Sequence, residues 1–237
     1  MNLIHLKNCP IYRQLQIEEA LLRLDDRNFC IINEGSSPAI VMGISGKAEE
    51  LIDLRYCTVP IIRRFSGGGT VIVDEDTVFI SLICKAALHL FAPYPEPIMR
   101  WTESLYKEAT GIPHFHLKEN DYVIGEKKVG GNAQYLRKER WLHHTTFLWD
   151  YQKKHMDLLL HPKKTPTYRQ NRQHEEFLTR LKDHLPSKEG FLNNFKATLK
   201  NHYETVEEIS LGEISSILDQ PHRKSTEWVS NYGKSIK

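Results

Sequence analysis

The sequence predicts an α+β fold in which helices back a mostly antiparallel or mixed sheet, and three observations carry that expectation. Strand-type segments follow one another from Phe29 to Trp149 with a single long helical stretch between them. Late in the chain the apolar residues change period: Phe177, Leu181 and Leu185 recur every four residues, as do Phe191, Phe195 and Leu199. The 237 residues suffice for one sizeable core with at most one small addition.

The elements follow in order. Ile11–Leu24 places Ile11, Leu15, Ala20, Leu21, Leu22 and Leu24 at helical spacing and reads as an amphipathic first helix, which the N-terminal residues soon enter. Strands are expected at Phe29–Asn33, Ala39–Gly43, Val59–Ile62, Thr70–Val73 and Val78–Ile83. A Pro-rich bend at Pro93–Pro97 precedes a helix over Ile98–Thr110. Further strands cover Phe115–Leu117, Tyr122–Ile124, Lys127–Arg137 and Arg140–Trp149, and two helices separated by Pro186 carry the late periodicity. Leu211, Ile214, Ile217 and Leu218 predict one more short helix, and the residues from Asn231 on should fray. No repeat or low-complexity linker divides the chain.

Composition removes several function classes. A formal charge of +2 offers no strong field for nucleic acid. No apolar run approaches the roughly eighteen residues of a membrane span, and the first residues form neither a secretory nor a transit segment, which points to the cytoplasm, with a processed mitochondrial chain as the alternative. Cys9, Cys30, Cys57 and Cys84 lack any Cys-x-x-Cys pairing and read as reduced structural thiols. The twelve histidines show no zinc-ligand spacing.

The chemistry is concentrated in three segments. Arg63-Arg64-Phe65-Ser66-Gly67-Gly68-Gly69-Thr70-Val71 lies between two strands. Three glycines strip the loop of side chains, so backbone N–H groups can approach a ligand; together they form an anion-binding concavity to which the arginines add charge. The alternative is a flexible surface hairpin, although a tight turn uses fewer glycines, usually beside Asn or Asp. Downstream, Asn120-Asp121 precedes Lys127-Lys128-Val129-Gly130-Gly131-Asn132, and His143-His144-Thr145-Thr146 lies in the following strand. Lys128 sits just before a glycine pair that opens space around it, whereas Lys127 reads as an exposed lysine. Neither glycine segment is the phosphate loop of nucleoside-triphosphate hydrolases or the dinucleotide fingerprint.

Jointly these segments resemble the lipoate–protein ligases of the biotin/lipoyl ligase superfamily. The pattern is Arg-Arg-x-Ser-Gly-Gly-Gly-x-Val, then Asn-Asp, then Gly-x-Lys-x-x-Gly, then a His-His-Gly-Thr-like strand; the likeness runs from about Ile11 to Tyr203. The His-His-Thr-Thr version and Tyr168-Arg169-Gln170-Asn171-Arg172 are similar to a ligase-like branch of plants and some bacteria. The resemblance implies the biotin/lipoyl ligase catalytic fold, akin to class II aminoacyl-tRNA synthetases. It would occupy residues 1–203, with 204–237 a short extension rather than a full accessory domain. It implies that ATP activates lipoate or octanoate to an acyl-adenylate, with Mg²⁺ as cofactor, and that the acyl group passes to a lysine of a lipoyl-carrier domain. Those carriers belong to 2-oxoacid dehydrogenase acyltransferases and the glycine-cleavage H-protein, and a separate accessory protein is a further implied partner.

By the same resemblance Arg64, Gly68, Gly69, Thr70, Val71 and Ile72 would cradle the nucleotide, with Asn132 in the same site. Lys128 would hold phosphate and acyl oxygens, and Asp121 would be a Mg²⁺ ligand or water anchor. His144 is either a site residue or a satisfied core hydrogen bond. An apolar tunnel, with Val71, Val73 and Phe147 as wall residues, would bury the acyl tail at about 0.8 kcal/mol per methylene. Lys153-Lys154, Lys163-Lys164, Arg169 and Arg172 are either an ordinary solvated basic face or a cluster that steers an acidic carrier domain. Three readings compete: an acyltransferase working through a cysteine thioester, for which no thiol follows Cys84; a biotin ligase, whose Gly-Arg-Gly-Arg-x-Gly-type segment is absent; and a non-catalytic binder on the same fold.

Overall fold

The computed structural model describes residues 1–161 and 165–229. In chain order the first half runs β1 (Asn2–Lys7), α1 (Ile11–Leu24), β2 (Phe29–Glu34), β3 (Ala39–Met42), α2 (Ala48–Leu51), β4 (Ile61–Arg63), β5 (Val71–Val73), β6 (Thr77–Lys85) and α3 (Pro95–Thr110). The second runs β7 (Phe115–Lys118), β8 (Asp121–Ile124), β9 (Lys127–Leu136), β10 (Arg140–Leu148), α4 (Lys153–Met156), α5 (His174–Phe177) and α6 (Lys188–His202). Last come β11 (Glu207–Glu208), α7 (Ser215–Leu218) and β12 (Glu227–Trp228).

Among the described residues the strands form two sheets, ordered β11-β1-β2-β6-β10-β9-β8-β7 and β12-β4-β3-β5. From β2 to β7 the larger sheet is antiparallel throughout, while β1 runs parallel to both β2 and β11, and β3 runs parallel to β4. The α+β, mixed-sheet expectation describes this architecture.

Strand alternation sorts the side chains of the larger sheet between two cores. Cys30, Ile32, Trp141 and Phe147 face α3 and α6, where Tyr106, Phe191 and Phe195 pack with them. Phe29, Ile31 and Leu142 face the other way, against Ile17 and Leu21 of α1 and Phe65. Of the two adjacent histidines, His143 therefore belongs to the α3 side, bonded to Thr145 and Gln134, and His144 to the α1 side. Helix α3 starts earlier than its apolar pattern, because proline is tolerated in a first helical turn, and Gly111 closes it at φ 64°.

Several elements depart from the sequence expectation. The N-terminal residues form β1 rather than leading directly into a helix. The four-residue spacing of Phe177, Leu181 and Leu185 does not produce a helix: Phe177 ends the single turn of α5, and Leu181 lies in a 3₁₀ turn. Between them the chain stays extended because Leu178 bridges to Lys128, and the Thr179 N–H donates to the Lys128 carbonyl at 2.8 Å. The acidic and polar stretch after Tyr203 contributes β11 and β12 to the two sheets, and Trp228 stacks on Tyr12 at 4.4 Å. The Leu211–Leu218 helix is a 3₁₀ turn continued by α7. The fraying expected from Asn231 on lies outside the described residues.

Candidate functional site

A bulge decides where Lys128 points. Val123 pairs with Lys128 and Tyr122 with Gly130, so Val129 is the extra residue and the register shifts there. One extra residue inverts the alternation of everything before it. Lys128 is thereby placed on the face of Gly131 rather than that of Gly130. A Cβ on Gly131 would stand 3.2 Å from Lys128 Nζ, whereas one on Gly130 would meet the Phe147 ring at 3.0 Å. Lys128 Nζ lies 2.8 Å from Asp121 Oδ1, and the Tyr168 hydroxyl donates to Asp121 Oδ2 at 2.9 Å. Asp121 is buried and Lys128 half-buried.

Opposite this floor, the glycine loop is held by one guanidinium. Arg64 donates through Nε to Ser66 Oγ and the Gly67 carbonyl, through Nη1 to the Val41 carbonyl, and through Nη2 to the carbonyls of Gly67 and Gly69 at 2.7 and 2.8 Å. Burial pulls its pKa down to about 10. Here Arg64 acts as the clamp that shapes the loop. Gly68 has φ 97°, and a Cβ on Gly43 would come within 2.3 Å of the Gly68 carbonyl oxygen. Arg63, the other half of the arginine pair, turns away to Glu227 at 2.6 Å.

Floor and loop enclose a cavity of about 720 Å³ between the two sheets. The residues expected to hold the nucleotide and the reacting groups line it: Arg64, Gly68 through Ile72, Asp121, Lys128, Asn132 and His144. Its two ends differ in chemistry. One gathers Lys128, Asp121, Arg169 and His174; His174 is pulled down to about 4, by burial first and then by Arg169, which keeps it neutral near pH 7. The other is walled by Val41, Phe79, Met99, Ala133 and Leu136. Val71 of the expected tunnel residues lines the cavity, but Val73 and Phe147 lie in separate cores.

At the apolar end His144 Nδ1 lies 3.0 Å from Glu18 Oε2, and Ser81 Oγ and Gln14 Nε2 both donate to Glu18 Oε1. Asn33 donates in turn to Gln14 Oε1 at 2.9 Å. A fully buried carboxylate therefore orients the imidazole from a helix whose sequence pattern shows only its apolar residues. Glu18→Leu would leave three buried donors without an acceptor, at about 1–3 kcal/mol each. Thermal melting should show a large loss of stability for Glu18→Leu and a smaller one for Glu18→Gln; equal melting of wild type and Glu18→Leu would remove the network from this account.

Asn132 is engaged within the wall: its Oδ1 accepts from Thr145 Oγ1 at 2.8 Å and its Nδ2 donates to the Asn120 carbonyl at 3.1 Å, tying the Asn120-Asp121 turn to β10. The residues that sequence reasoning missed are Glu18, Gly43, Tyr168 and His174, together with the inward course of Arg169. The signal for Gly43 was only a glycine at a strand end, that for Tyr168 and Arg169 was the Tyr168–Arg172 motif without a role for either side chain, and Glu18 and His174 carried none. Of the basic residues considered for steering a carrier, Arg169 departs from a surface position. Lys163 and Lys164 lie outside the described residues, Lys153 pairs with Glu175 at 2.9 Å, Arg169 is buried against the cavity, and Arg172 covers the Phe177 ring at 5.4 Å. The Asp121 carboxylate, already shared by a lysine and a tyrosine, does not fit a resident Mg²⁺, and no group of three or more potential ligands exists among the described residues. No helix among them is long and apolar enough to cross a membrane.

The sequence profile of the lipoyl protein ligase A/B catalytic domain matches residues 10–204. An inactive lipoate–protein ligase 2 of Plasmodium falciparum is 28% identical over 238 aligned positions, covering 73% of this chain and 61% of that protein. A lipoate–protein ligase A crystallised with ATP superposes with a TM-score of 0.75 at 19% identity, covering 92% of each chain. The bipartite lipoate–protein ligase of Thermoplasma acidophilum, studied with its E2 lipoyl domain, superposes equally well, at 0.75 and 19%, over 92% of this chain and 89% of that one. At these identities the structural likeness concerns the fold. The chain spans 61%, 42% and 53% of the length of three curated relatives it matches.

Proposed function

This chain belongs to the lipoyl protein ligase A/B catalytic-domain family, and we propose that it joins lipoate or octanoate to AMP and then to a lysine of a lipoyl-carrier domain. The observation that carries this reading is one cavity that holds Lys128 beside Arg169 at its cationic end and has apolar walls at the other. An acyl-adenylate has that shape: an anionic phosphate, a polar mixed anhydride and a hydrocarbon tail. Burying the tail contributes about 0.8 kcal/mol per methylene.

In the first half-reaction a carboxylate oxygen attacks the α-phosphorus of ATP, the bond to the bridging oxygen breaks, and pyrophosphate leaves. In the second, the carrier lysine amine attacks the acyl carbonyl, the C–O bond to AMP breaks, and the amine loses a proton. The protein's part is to position the reactants and stabilise developing charge. Lys128 Nζ, held 2.8 Å from Asp121 Oδ1 before substrate arrives, donates to the phosphate and acyl oxygens. Backbone N–H groups of the Arg64-clamped loop take further phosphate oxygens. Mg²⁺ would arrive on the polyphosphate, and no step here depends on a protein-held ion.

Likeness to proteins named as lipoate ligases supports this reading, while the relative named inactive keeps a non-catalytic binder as the second one. The bipartite relative favours a separate accessory protein as partner, and its lipoyl domain favours a carrier of that class. Exchange of labelled pyrophosphate into ATP, dependent on lipoate, tests the first half-reaction; its absence with and without an accessory protein would favour the binder.

The thioester route has a geometric obstacle. None of the four cysteines lines the cavity, and burial pushes the Cys84 thiol up to about 12. Replacing Cys9, Cys30, Cys57 and Cys84 by serine should lower the melting temperature, since Cys30 and Cys84 are fully buried, yet retain ATP-dependent ligation. An acyl-enzyme detected by mass spectrometry and lost with Cys84 alone would overturn this.

A further inference from the structure

The two inward-facing arginines of the site hold opposite hydrogen-bond positions. Arg64 uses Nε and both amino groups on the glycine loop and Val41. Arg169 makes one guanidinium hydrogen bond among the described residues, from Nε to the Arg172 carbonyl at 3.0 Å. Its Nη2 is buried without a partner, although Arg169 is only 6% exposed and lines the cavity beside Lys128 and Asp121. A buried guanidinium nitrogen without a partner is costly to maintain, which marks Nη2 as a donor whose acceptor arrives from outside. Across the cavity Thr70 Oγ1 is likewise buried without a partner.

The surrounding chain holds Arg169 in place. Gln170 and Asn171 both take left-handed conformations, φ 51° and 59°, which few non-glycine residues adopt, and reverse the chain there. Arg172 Nε donates back to the Arg169 carbonyl, and the Arg169 guanidinium lies 4.8 Å over the Phe177 ring. The Thr179-to-Lys128 backbone bond fastens this segment to the edge of β9. A planar fork presented in this manner suits a tetrahedral oxyanion better than a point charge does.

We propose that Arg169, rather than Arg64, is the arginine that binds the polyphosphate of the nucleotide and the pyrophosphate that leaves. The proposal rests on the ligase reading for its substrate, but the anion site itself is testable without activity. Pyrophosphate is titrated by calorimetry into the protein and into its Arg169→Ala, Arg169→Lys and Lys127→Ala variants. Loss of a charge-assisted pair should weaken binding about ten- to hundredfold in Arg169→Ala. Arg169→Lys should recover part of that loss, and Lys127→Ala, at an exposed cation outside the cavity, should stay near wild type. In the exchange assay Arg169→Ala should raise the KM for ATP while the KM for lipoate holds.

Should Arg169→Ala melt early, Arg169→Gln, which keeps the stem over Phe177, takes its place. Pyrophosphate affinity that is absent in the wild type, unchanged in Arg169→Ala, or lost equally in Lys127→Ala would overturn the proposal. Binding through Arg169 without lipoate-dependent exchange would keep the anion site and remove the ligase reading. Exchange with an unchanged KM for ATP in Arg169→Ala would do the reverse.

Discussion

Lys128→Ala should lower acyl transfer by roughly 10²–10³, the usual effect of removing a single preorganised donor to a developing oxyanion. Asp121 would keep the Tyr168 hydroxyl and gain solvent from the cavity, so the variant should fold and melt within a few degrees of wild type. Lys127 is exposed and, one residue earlier, is turned by the same bulge to the opposite face of β9, so Lys127→Ala should transfer at close to the wild-type rate. The two variants are compared in single-turnover transfer to a carrier domain, alongside melting curves. Equal losses in both would mean that the bulge does not select the reactive lysine.

The glycines form the second large effect, and they should not behave alike. Gly43→Ala places a methyl within 2.3 Å of the Gly68 carbonyl oxygen, which is backbone and cannot yield without moving the loop. Gly68→Ala combines φ 97° with contacts of 2.8 Å to Arg64 Nη2 and 3.0 Å to Ala133 Cβ. Each should cost about 1–3 kcal/mol and weaken ATP binding by displacing the Arg64-clamped loop. Gly69→Ala meets nothing within 4 Å and should melt as wild type, so any change it makes in ATP affinity arises from the bound nucleotide alone. Melting curves that fall as far for Gly69→Ala as for Gly43→Ala would contradict this account of the loop.

Much of this site was legible because its residues belong to local patterns. Gly67-Gly68-Gly69 beside Arg64, and Lys128 before Gly130-Gly131, are contiguous, and backbone chemistry alone assigns them to a loop and a strand edge. Their convergence on one cavity with His144 follows from the order of strands, to which the family resemblance also pointed. Illegible were the contacts that span the chain. Glu18 and His144 are 126 residues apart, and Tyr168 and Asp121 are 47 apart.

The sequence by itself determined the α+β class, α1 at its observed bounds, most core strands and the loops that carry charge, because helix and strand periods are properties of neighbouring residues. The tertiary structure alone decided what each polar group does. The Val129 bulge inverts strand parity and so chooses Lys128. Strand alternation sends His143 to one core and His144 to the cavity. The Leu178 bridge to Lys128 overrides a helical spacing. Arg64 became the clamp, and Arg169 kept a buried amino group without a partner, because a guanidinium's hydrogen bonds depend on which carbonyls folding brings near it, and no local pattern encodes that.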